Sequence, residues 1–559
     1  MNIKEQIAKN IEFSFNEFNL NAQDLIIESI SADKGDYSLP CFALAKILKD
    51  NPMNIANKVK ETVKTDGIIE KCEVMAGYVN FFLNKQYVAK EILNNFSSEN
   101  LKFTEGKGKV VCVDYGSPNL AKYLHIGHLK TLIFGESLAR LCEQFGYTVK
   151  RLNFVGDYGT PFGKIIGGLK RWGSLSDVKN RGNDALQEYY VKFNAAEVEN
   201  PDLTQEARDI FKKIEDKDAE IYPIYEEIIK IALKETNNMF ELLGVTFDDY
   251  RGEMYYNDLV PNVLEMLNEK KLLVESEGAK IVKLGEHDLT DAVIIKSDGT
   301  TIYITRDISA AVDRYNDYKF DKLIYVTDVA QKLHFSQLFK VLELAGFDFA
   351  KNMEHMPYGR FSLPDGKISS RRGKQAVLVD LMEYVQNKAK EVIKDRKFEI
   401  ENPEDVVKKV VKAVLNYSVL KVERIKDCVF DPELAFSFEG ETAPYMLYTY
   451  TRLESILRKY NKTNVLADYS CLNQDAFEII KAINDFENTM RLSFEKRDTS
   501  LICKRVMDLC KMFNKFYTTS KVLDGCDTTT KAKIQLVKAL KETLAVGFKL
   551  ICIDTLQEM

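Results

Sequence analysis

The stretch VVCVDYGSPNLAKYLHIGHLKTLIFGESLARLCEQFGYTVKRLNFVG, residues 110–156, contains the pattern of a strand, a helix and a second strand. The β-branched run at its start ends in a turn, which is typical of a buried strand. A helical pattern follows from residue 128, and Gly146 stands where that helix is expected to stop. Because the connections are short, this order predicts a parallel βαβ unit.

The same rhythm returns in the second half of the chain. TTIYIT (300–305) predicts a strand, a helix is expected from about 307, and KLIYVTD (322–328) predicts the next strand. A further helix should end at Gly346. The fold class expected is therefore α/β, with one Rossmann-type parallel sheet built from two separated halves.

The regions outside these two halves differ in pattern. Residues 1–100 indicate a small α/β N-terminal domain, and the last part of the chain is helical almost throughout. Between the two halves, a charged helical stretch indicates an insertion. The expected domains are 1–100, 101–380 with an insertion at about 170–290, and an all-α domain at 381–559.

Composition limits the protein classes that fit. Of 559 residues, 45% are hydrophobic and 29% charged, as in soluble globular proteins. No apolar run approaches the roughly 18 residues of a membrane span, and the acidic, helical start is not that of a signal peptide. The ten cysteines never form Cys-x-x-Cys, which predicts reduced thiols in a cytoplasmic protein and no zinc site. The net charge of −6 gives no overall attraction for nucleic acid.

The segment SPNLAKYLHIGH (117–128) places two of the five histidines three residues apart, after a strand and at the start of a helix. Free N–H groups at a helix N-terminus suit phosphate, and His125 and His128 can add hydrogen bonds from one face. Gly127 lets a base or ribose approach the backbone, and Lys122 adds a mobile positive charge. Spacing alone leaves a second interpretation open, a helix start with two partly exposed histidines.

A second phosphate-type element follows a strand of the other half. GRFSLPDGKISSRRGK (359–374) is a strand end, an Asp-Gly turn and a basic loop. Such a loop can close over a polyphosphate and stabilise charge on its leaving part. Taken alone, the segment is more typical of a hairpin tip with solvated charges. The loop residues considered for ATP are Lys367, Ser369, Ser370 and Arg371.

Together the two segments resemble the paired signatures of class I aminoacyl-tRNA synthetases, with HIGH intact and KISSR in place of the usual KMSKS. Within that class the chain is most similar to the arginine-specific family. The similarity is carried, in order and spacing, by VDYGSPNLAKYLHIGHLK, VGDYGTPFG (155–163), YITRDISAA, AFSFEGETAPYMLYTYTR (435–452) and the C-terminal QEM. With the N-terminal unit, it covers nearly the whole chain.

The resemblance implies ATP-dependent ligation of L-arginine to its tRNA through an arginyl-adenylate, for protein synthesis. ATP would be a substrate with Mg²⁺ as its counter-ion and no metal held by the protein. The expected partners are arginine tRNA, L-arginine and ATP, and the protein is expected to be a cytoplasmic monomer without membrane contact. The catalytic residues implied are Lys122, His125, His128 and Lys367, and the ATP-binding residues are His125, Gly127, His128, Lys367, Ser369, Ser370 and Arg371.

The substrate guanidinium is a planar fork of donors, so its pocket needs carboxylate, amide or phenol oxygens. The matching positions of the family contact arginine, and here they should converge at the strand ends. They are Asp114, Asn119, Tyr303, Asp307 and Gln331. From the residues alone, a helix N-cap for Asp307, strand packing for Tyr303 and a surface position for Gln331 also fit.

One position departs from the family pattern. Ser370 stands where the second lysine of KMSKS contributes charge in the transition state. In arginine-specific members that lack this lysine, a lysine just ahead of HIGH is thought to substitute, and Lys122 is the match. Lys122 is therefore expected to act on the rate of adenylation.

The segment ETAPYMLYTYTR predicts a helix capped by Thr442, with tyrosines and an arginine on one face and Tyr450 in the core. Aromatic rings with arginine form a stacking surface for unpaired bases. The resemblance places anticodon recognition on this face and a D-loop contact on the N-terminal unit. The implied tRNA-binding residues are Tyr445, Tyr448, Arg452, Met559, Tyr78 and Asn80.

Three other functions were weighed. A non-catalytic RNA-binding relative would be expected to lose the histidines, Lys122 or the carboxylates, and all are present. A class I nucleotidyltransferase for a small metabolite would not need a long helical C-terminal domain. A class I synthetase for another amino acid is disfavoured by Asp114 and Asp307 if that substrate is anionic or apolar; lysine is harder to exclude on charge.

Overall fold

The computed structural model describes residues 3–12, 14–15, 20, 25, 27–29, 34–65, 67–364, 377–394, 402–462 and 465–558. The N-terminal unit is an antiparallel sheet of order β1-β2-β4-β3 with helices packed against it. The side chains of Asn51 and Asn84 cap its last two helices. Its elements are α1 Ile3–Glu12, β1 Glu28–Ser29, β2 Tyr37–Pro40, α2 Cys41–Leu48, α3 Pro52–Thr62, β3 Ile69–Met75, β4 Tyr78–Leu83 and α4 Lys85–Asn95.

The predicted βαβ unit is confirmed, because its two strands pair in parallel. Its elements are β5 Val110–Asp114, α5 His128–Gln144 and β6 Thr148–Leu152. Gly146 ends α5 as predicted: its φ is +84°, and the next amide, of Tyr147, donates to the Cys142 carbonyl at 3.2 Å. That left-handed conformation carries no steric cost at glycine.

The stretch between the two halves of the sheet is mostly helical. Its helices are α6 Thr160–Trp172, α7 Leu175–Arg181, α8 Asn183–Glu199, α9 Asp202–Glu215, α10 Ile221–Leu243, α11 Glu253–Asn257 and α12 Val260–Glu269. An antiparallel sheet follows that the sequence did not predict, of β7 Leu273–Ser276, β8 Ala279–Val282 and β9 Ala292–Ile295. Its strands have four residues each, too few for a clear alternation of polar and apolar side chains.

The second half consists of α13 Tyr303–Tyr318, β10 Lys322–Asp328, α14 Lys332–Leu344, β11 Met353–Tyr358 and β12 Phe361–Ser362. The strand predicted at 300–305 is wrong. Thr301 only bridges Ile295 at the end of a turn, and α13 begins two residues later. Ile304 and Ile308 are buried at helical spacing, and their packing outweighs the β-branched composition of the run.

The four strands of the main sheet are parallel, in the order β11-β10-β5-β6. Alternate side chains face opposite sides: Val113 and Val326 pack with α5, while Cys112 and Tyr325 pack with α13 and α14. The chain leaves β5 towards one edge and β10 towards the other. The gap between β5 and β10 is therefore the topological switch point, where open α/β sheets bind ligands.

The C-terminal part is helical, as predicted, apart from one short strand that pairs in parallel with β12. Its elements are α15 Leu378–Lys394, α16 Pro403–Leu420, β13 Cys428–Val429, α17 Pro432–Ala435, α18 Ala443–Lys459, α19 Gln474–Asn484, α20 Phe486–Lys496, α21 Ser500–Thr519 and α22 Asp527–Leu550. Helix α5 is anchored in this bundle, since Ser137 Oγ donates to the Leu550 carbonyl at 2.7 Å.

All ten cysteines are free, and eight of them are buried. Burial raises the pKa of the Cys112 thiol to about 12, so this thiol stays protonated and behaves as a small apolar group. Within the described residues, no helix combines the length and hydropathy of a membrane span.

Candidate active site

The carboxyl ends of β5 and β10 open onto a cleft of about 420 Å³. Both halves of the sheet contribute to it, so two segments separated by more than 150 residues form one site. This is the position expected for a ligand at the switch point. The cleft is lined by Gly116, Ser117, His125, Gly127, His128, Thr131, Val326, Thr327, Asp328, Gln331, Tyr358, Arg360 and Phe361.

The two histidines lie on one side of the cleft, as the sequence predicted. His128 is the first residue of α5, and His125 lies in the preceding turn. Nδ1 of His125 accepts from the Gly127 N–H at 3.0 Å, so a neutral imidazole carries its proton on Nε2. Burial lowers the pKa of both histidines. They are therefore neutral hydrogen-bond donors at neutral pH rather than fixed positive charges.

Thr131 joins the two halves of the sheet beneath the cleft. Its Oγ1 accepts from the Gly116 N–H at 2.9 Å and donates to the Val326 carbonyl at 2.8 Å. The Ser117 N–H, after the turn that ends β5, is held by Asn153 Oδ1 at 3.0 Å. The walls of the cleft are thus fixed by hydrogen bonds that connect β5, α5 and β10.

Asp114 is at the end of β5, where it was expected, but it already has a cationic partner. Its Oδ2 accepts from Arg314 Nη1 at 2.6 Å, and only 4% of the residue is exposed. The Arg314 guanidinium lies 5.6 Å from the ring centroids of both Phe154 and Tyr256. Burial raises the pKa of Asp114, and Arg314 opposes that rise. Arg314 bonds Asp114 from 200 positions away along the chain, and the sequence did not predict this partner.

Asp307 lies inside α13 and is not its N-cap, a position held by Ile302. Its Oδ2 is 2.7 Å from Nε2 of His334, and the His334 ring stands 5.0 Å from that of Tyr303 in an edge-to-face arrangement. Tyr303 is 61% exposed, which rules out strand packing. Asp307 also raises the pKa of Asp114 electrostatically, although less than burial does, so the two carboxylates are close.

His334 is a second residue of this region that the sequence did not predict. It follows Gln331 by three residues, at the start of α14, and the i, i+3 spacing on a helix that begins at a sheet edge was the available signal. The contact of its Nε2 with Asp307 Oδ2 connects α14 to α13.

Two more carboxylates, Glu253 and Asp157, lie near Asp307. Glu253 pairs with Arg306 at 3.1 Å, and the Arg306 guanidinium lies 4.9 Å from the ring of Tyr158. Burial raises the pKa of Glu253, and to a smaller extent Asp307 does too. Burial raises the pKa of Asp157 to about 6. The region therefore resists further negative charge and suits a cationic group.

The remaining predicted site residues divide into two groups. Asn119, Lys122 and Gln331 are exposed at the rim, and Asn119 Oδ1 accepts from the Ala121 N–H at 3.0 Å. The other group lies outside the described residues: Lys367, Ser369, Ser370, Arg371 and Met559. Within the described part of the chain, no cluster of three or more His, Cys, Asp or Glu side chains is arranged to hold a metal ion.

A second surface lies on α18. Thr442 caps the helix through its side chain, as predicted, and Tyr450 is buried in the core at 4% exposure. The Arg452 guanidinium lies between the rings of Tyr448 and Tyr517, 4.8 Å from each centroid. The sequence did not predict that Tyr517, on α21, would belong to this surface. Tyr445 is half-buried on the same side of α18.

Arg452 is also held by a hydrogen bond to a neighbouring helix. Its Nη1 donates to Asn514 Oδ1 at 2.6 Å, and Asn514 Nδ2 donates to Thr449 Oγ1 at 2.8 Å. The guanidinium plane is thus fixed between two partly exposed rings before any ligand arrives.

In the N-terminal unit, the two candidate residues differ. Tyr78 is exposed and packs edge-to-face on Phe42, with 5.2 Å between ring centroids. Asn80 is buried in β4, where its Oδ1 accepts from Ser38 Oγ at 2.7 Å. A tRNA contact through the Asn80 side chain would require this hydrogen bond to open, and the Asn80 contact stays a prediction. The alternation of side chains along β4 could not show that one residue is exposed and the other buried, because both side chains point to the same face of the sheet.

Comparison with known proteins gives matches along most of the chain. The family model described as tRNA synthetases class I (R), catalytic domain, matches residues 90–432. The model for the Arginyl tRNA synthetase N terminal domain matches residues 1–83, and the DALR anticodon binding domain matches 446–559. Two of the similar curated proteins are arginine–tRNA ligases, from Halothermothrix orenii at 39% identity and Clostridium perfringens at 38%; both alignments cover 100% of each chain.

Among solved structures, Thermus thermophilus arginyl-tRNA synthetase superimposes with a TM-score of 0.84 at 23% identity, over 100% of both chains. The Plasmodium falciparum arginyl-tRNA synthetase gives 0.81 at 21% identity, over 100% of this chain and 99% of the other. At these identities the superpositions support the fold: a parallel sheet, an N-terminal unit and a helical C-terminal part.

Proposed function

The chain belongs to the arginyl-tRNA synthetase family, and on that premise we propose how its cleft carries out the reaction. The activity is that of an arginine–tRNA ligase, which joins L-arginine to tRNA at the expense of ATP for protein synthesis. We divide the cleft into a phosphate side, formed by Lys122, His125, Gly127 and His128, and an arginine side, formed by the predicted arginine-binding residues with Arg314 and His334.

The observation that carries the assignment is that Gln331, from the arginine side, lines the same cleft as the two histidines. The histidines and Gln331 line one cleft, and the Asp307–His334 pair stands next to Gln331 on α14. ATP bound by its phosphates at the helix N-terminus would have its α-phosphorus near an arginine held at the strand ends. Positioning of the two substrates is then the main contribution of the protein.

In the first step the arginine carboxylate attacks the α-phosphorus of ATP, the bond to the bridging oxygen breaks, and pyrophosphate leaves. His125 and His128 donate to phosphate oxygens as neutral imidazoles, and Lys122 supplies the mobile charge that Ser370 lacks. Lys367 is assigned to the leaving pyrophosphate. Gly127 admits the nucleoside, and Ser369, Ser370 and Arg371 complete the ATP contacts.

On the arginine side, Asp307 accepts from the substrate guanidinium with its free oxygen while His334 holds the other one. Tyr303 and Gln331 supply phenol and amide oxygens from the rim. Asp114 contributes negative charge from the end of β5, and Arg314 balances that charge. Asn119 faces the substrate from the turn after β5. Lysine, with one compact ammonium, would leave several of these acceptors unpaired.

In the second step the terminal ribose hydroxyl of tRNA attacks the carbonyl carbon of the adenylate, and AMP leaves. The anticodon is assigned to the α18 surface, where Tyr445, Tyr448 and Arg452 offer rings and a fixed guanidinium to unpaired bases. A role in anticodon recognition is also assigned to Met559, which lies outside the described residues. The N-terminal unit, residues 1–100, would contact the D-loop through Tyr78.

The domain limits keep the predicted values: residues 101–380 with the insertion at about 170–290 for catalysis, and 381–559 for tRNA. Mg²⁺ would enter with ATP as its counter-ion, as expected for a cation that keeps much of its water. We place the protein in the cytoplasm as a monomer, because reduced thiols and a cleft formed by one chain support that assignment.

Arginine-dependent exchange between ATP and radioactive pyrophosphate tests the first step, run with and without arginine tRNA. Lysine and citrulline serve as competing amino acids, because lysine has a point charge and citrulline has the shape without the charge. We expect exchange with arginine and not with the other two. Exchange with lysine at a similar rate would contradict the assigned arginine side.

The α18 surface is tested by charging kinetics of Tyr448→Ala and Tyr448→Phe. Loss of the ring should raise the KM for tRNA about tenfold, since stacking of a base on an aromatic ring contributes roughly 1–3 kcal/mol. Tyr448→Phe keeps the ring and should remain near the wild-type KM. Equal effects of the two substitutions would remove stacking from the explanation.

A further inference from the structure

Lys130 is a buried ammonium that the proposed reaction does not use. It lies on α5 two residues after His128 and has no exposed surface. Its Nζ donates to the backbone carbonyl of Lys426 at 2.6 Å. Burial lowers the pKa of Lys130, and the negative charges of Asp427 and Asp328 act against that. A buried ammonium is costly, so its retention here calls for a role.

The segment that receives this hydrogen bond lies between α16 and β13 and runs beside residues 359–362. The Gly359 N–H donates to the Arg424 carbonyl at 3.1 Å, and the Cys428 N–H to the Arg360 carbonyl at 2.8 Å. Asp427 Oδ1 accepts from the Arg360 N–H at 2.7 Å. The fit is tight, because a Cβ added at Gly359 would come within 2.6 Å of the Ile425 carbonyl.

Residues 358–361 also form one wall of the ATP cleft, through Tyr358, Arg360 and Phe361. We call these three residues the distal wall. Backbone hydrogen bonds attach the distal wall to the 424–428 segment, and Lys130 attaches that segment to α5, which begins at His128. In the described residues, Lys130 is thus a direct side-chain connection between the histidine helix and the support of the distal wall.

We propose that Lys130 is a positioning residue for ATP, which sets the distance between the two histidines and the distal wall. This inference rests on the proposed function, because it takes the cleft to be the ATP site. Since the 424–428 segment follows α16, the helical C-terminal part carries one wall of the nucleotide cleft. Lys130 acts through that wall and does not touch the reacting atoms.

The test compares Lys130→Met and Lys130→Arg in the full chain. Methionine keeps the apolar length beside Phe134 but leaves the Lys426 carbonyl without its donor. Binding of a non-hydrolysable ATP analogue, measured by calorimetry, should weaken about tenfold in Lys130→Met, because a hydrogen bond from a charged group is lost. In exchange kinetics the KM for ATP should rise while the KM for arginine stays constant. Lys130→Arg should restore the affinity for the analogue and the KM for ATP to the wild-type values.

Glu423→Gln is the matched control: it breaks the exposed Lys426–Glu423 ion pair in the same segment but leaves the Lys426 carbonyl in place, so analogue binding should not change. If Lys130→Met does not fold, Asp427→Ala removes the exposed acceptor of the Arg360 N–H, and weaker analogue binding is again expected. Unchanged affinity in the folded variant would overturn the inference.

A lower melting temperature with both KM values unchanged would also overturn the inference, since Lys130 would then serve stability alone. The proposed function is judged separately. Wild-type protein that binds the analogue but shows no arginine-dependent exchange would refute that function, whereas the calorimetric comparison of Lys130 variants would still decide the role of Lys130.

Discussion

The phosphate side and the arginine side of the cleft are built in different ways. On the phosphate side, the residues come from one segment of twelve residues, 117–128, and both histidines are neutral, partly exposed donors. On the arginine side, the carboxylate of Asp114 at the end of β5 is buried and that of Asp307 on α13 is partly buried. Both are paired with side chains of this chain itself, Asp114 with Arg314 and Asp307 with His334.

The difference fits the ligands that we propose for the two sides. A polyphosphate brings its own negative charge, which a helix N-terminus and uncharged donors accept without placing charge in the protein interior. A guanidinium requires negative charge in a partly dry pocket, and such charge is stable there only if other groups balance it. We therefore expect substitutions on the arginine side to affect stability as well as activity, and those on the phosphate side to affect activity alone.

The largest effect is expected from Arg314→Met. It leaves the Asp114 carboxylate buried and unpaired, and breaking a buried pair in this way costs about 3–5 kcal/mol. Urea denaturation should show this loss, and Asp114→Asn in the same chain should recover part of it. Arg181→Met, which breaks exposed pairs with Asp177 and Glu188, is the control and should have little effect. Equal losses would mean that the Asp114–Arg314 pair has no special role.

Asp307→Asn should lower kcat/KM for arginine about 100-fold, because charge-assisted hydrogen bonds to the guanidinium are lost, while the KM for ATP stays the same. ATP–pyrophosphate exchange at varied arginine and varied ATP measures both. Asp313→Asn lies on the same helix but pairs with Arg251, so it should leave the arginine KM unchanged. A rise in the KM for ATP in Asp307→Asn would contradict the division of the cleft into a phosphate side and an arginine side.

Lys122→Ala tests the phosphate side. We expect kcat for adenylation to fall by about 30-fold, with a smaller rise in the KM for arginine, because the ammonium acts on charge that develops in the transition state. Stability should not change, since Lys122 is exposed. Lys107→Ala, an exposed lysine at the opposite end of β5, is the control. An unchanged kcat would remove Lys122 from the mechanism.

The smallest effect concerns Asp157, beside the arginine side. Burial raises its pKa from 3.8 to about 6, so the folded chain binds the proton more tightly than the unfolded chain. The contribution of Asp157 to the free energy of unfolding should therefore fall as the pH rises from about 4 to about 6. Asp157→Asn should remove that contribution and raise the stability at pH 7.

Asp218, whose pKa is lowered by hydrogen bonds from the Ile221 and Glu220 backbone, should behave in the opposite way. Asp218→Asn should lower stability at pH 7 and leave the pH dependence between 4 and 6 intact. Denaturation curves at several pH values compare the two variants. If both substitutions changed the stability at pH 7 in the same direction, burial would not explain the raised pKa of Asp157.

Features that depend on neighbours in the chain were predictable from the sequence. Gly146 ends α5 and Thr442 caps α18, because a helix end is satisfied by residues within a turn of it. The histidine pair was located correctly for the same reason. The run at 300–305 was misread since its β-branched residues are compatible with a strand, and only burial of Ile304 and Ile308 against the sheet makes it a helix.

The sequence by itself thus determined the class of fold, the place of the histidine pair at the start of a helix, and the residue types that we propose for the arginine side. Only the tertiary structure decided that Asp114 is balanced by Arg314, that His334 holds Asp307, and that Lys130 reaches a carbonyl 296 positions away. The physical reason is that charge pairing and burial depend on distance in space. A folded chain brings together residues whose separation along the sequence carries no information about that distance.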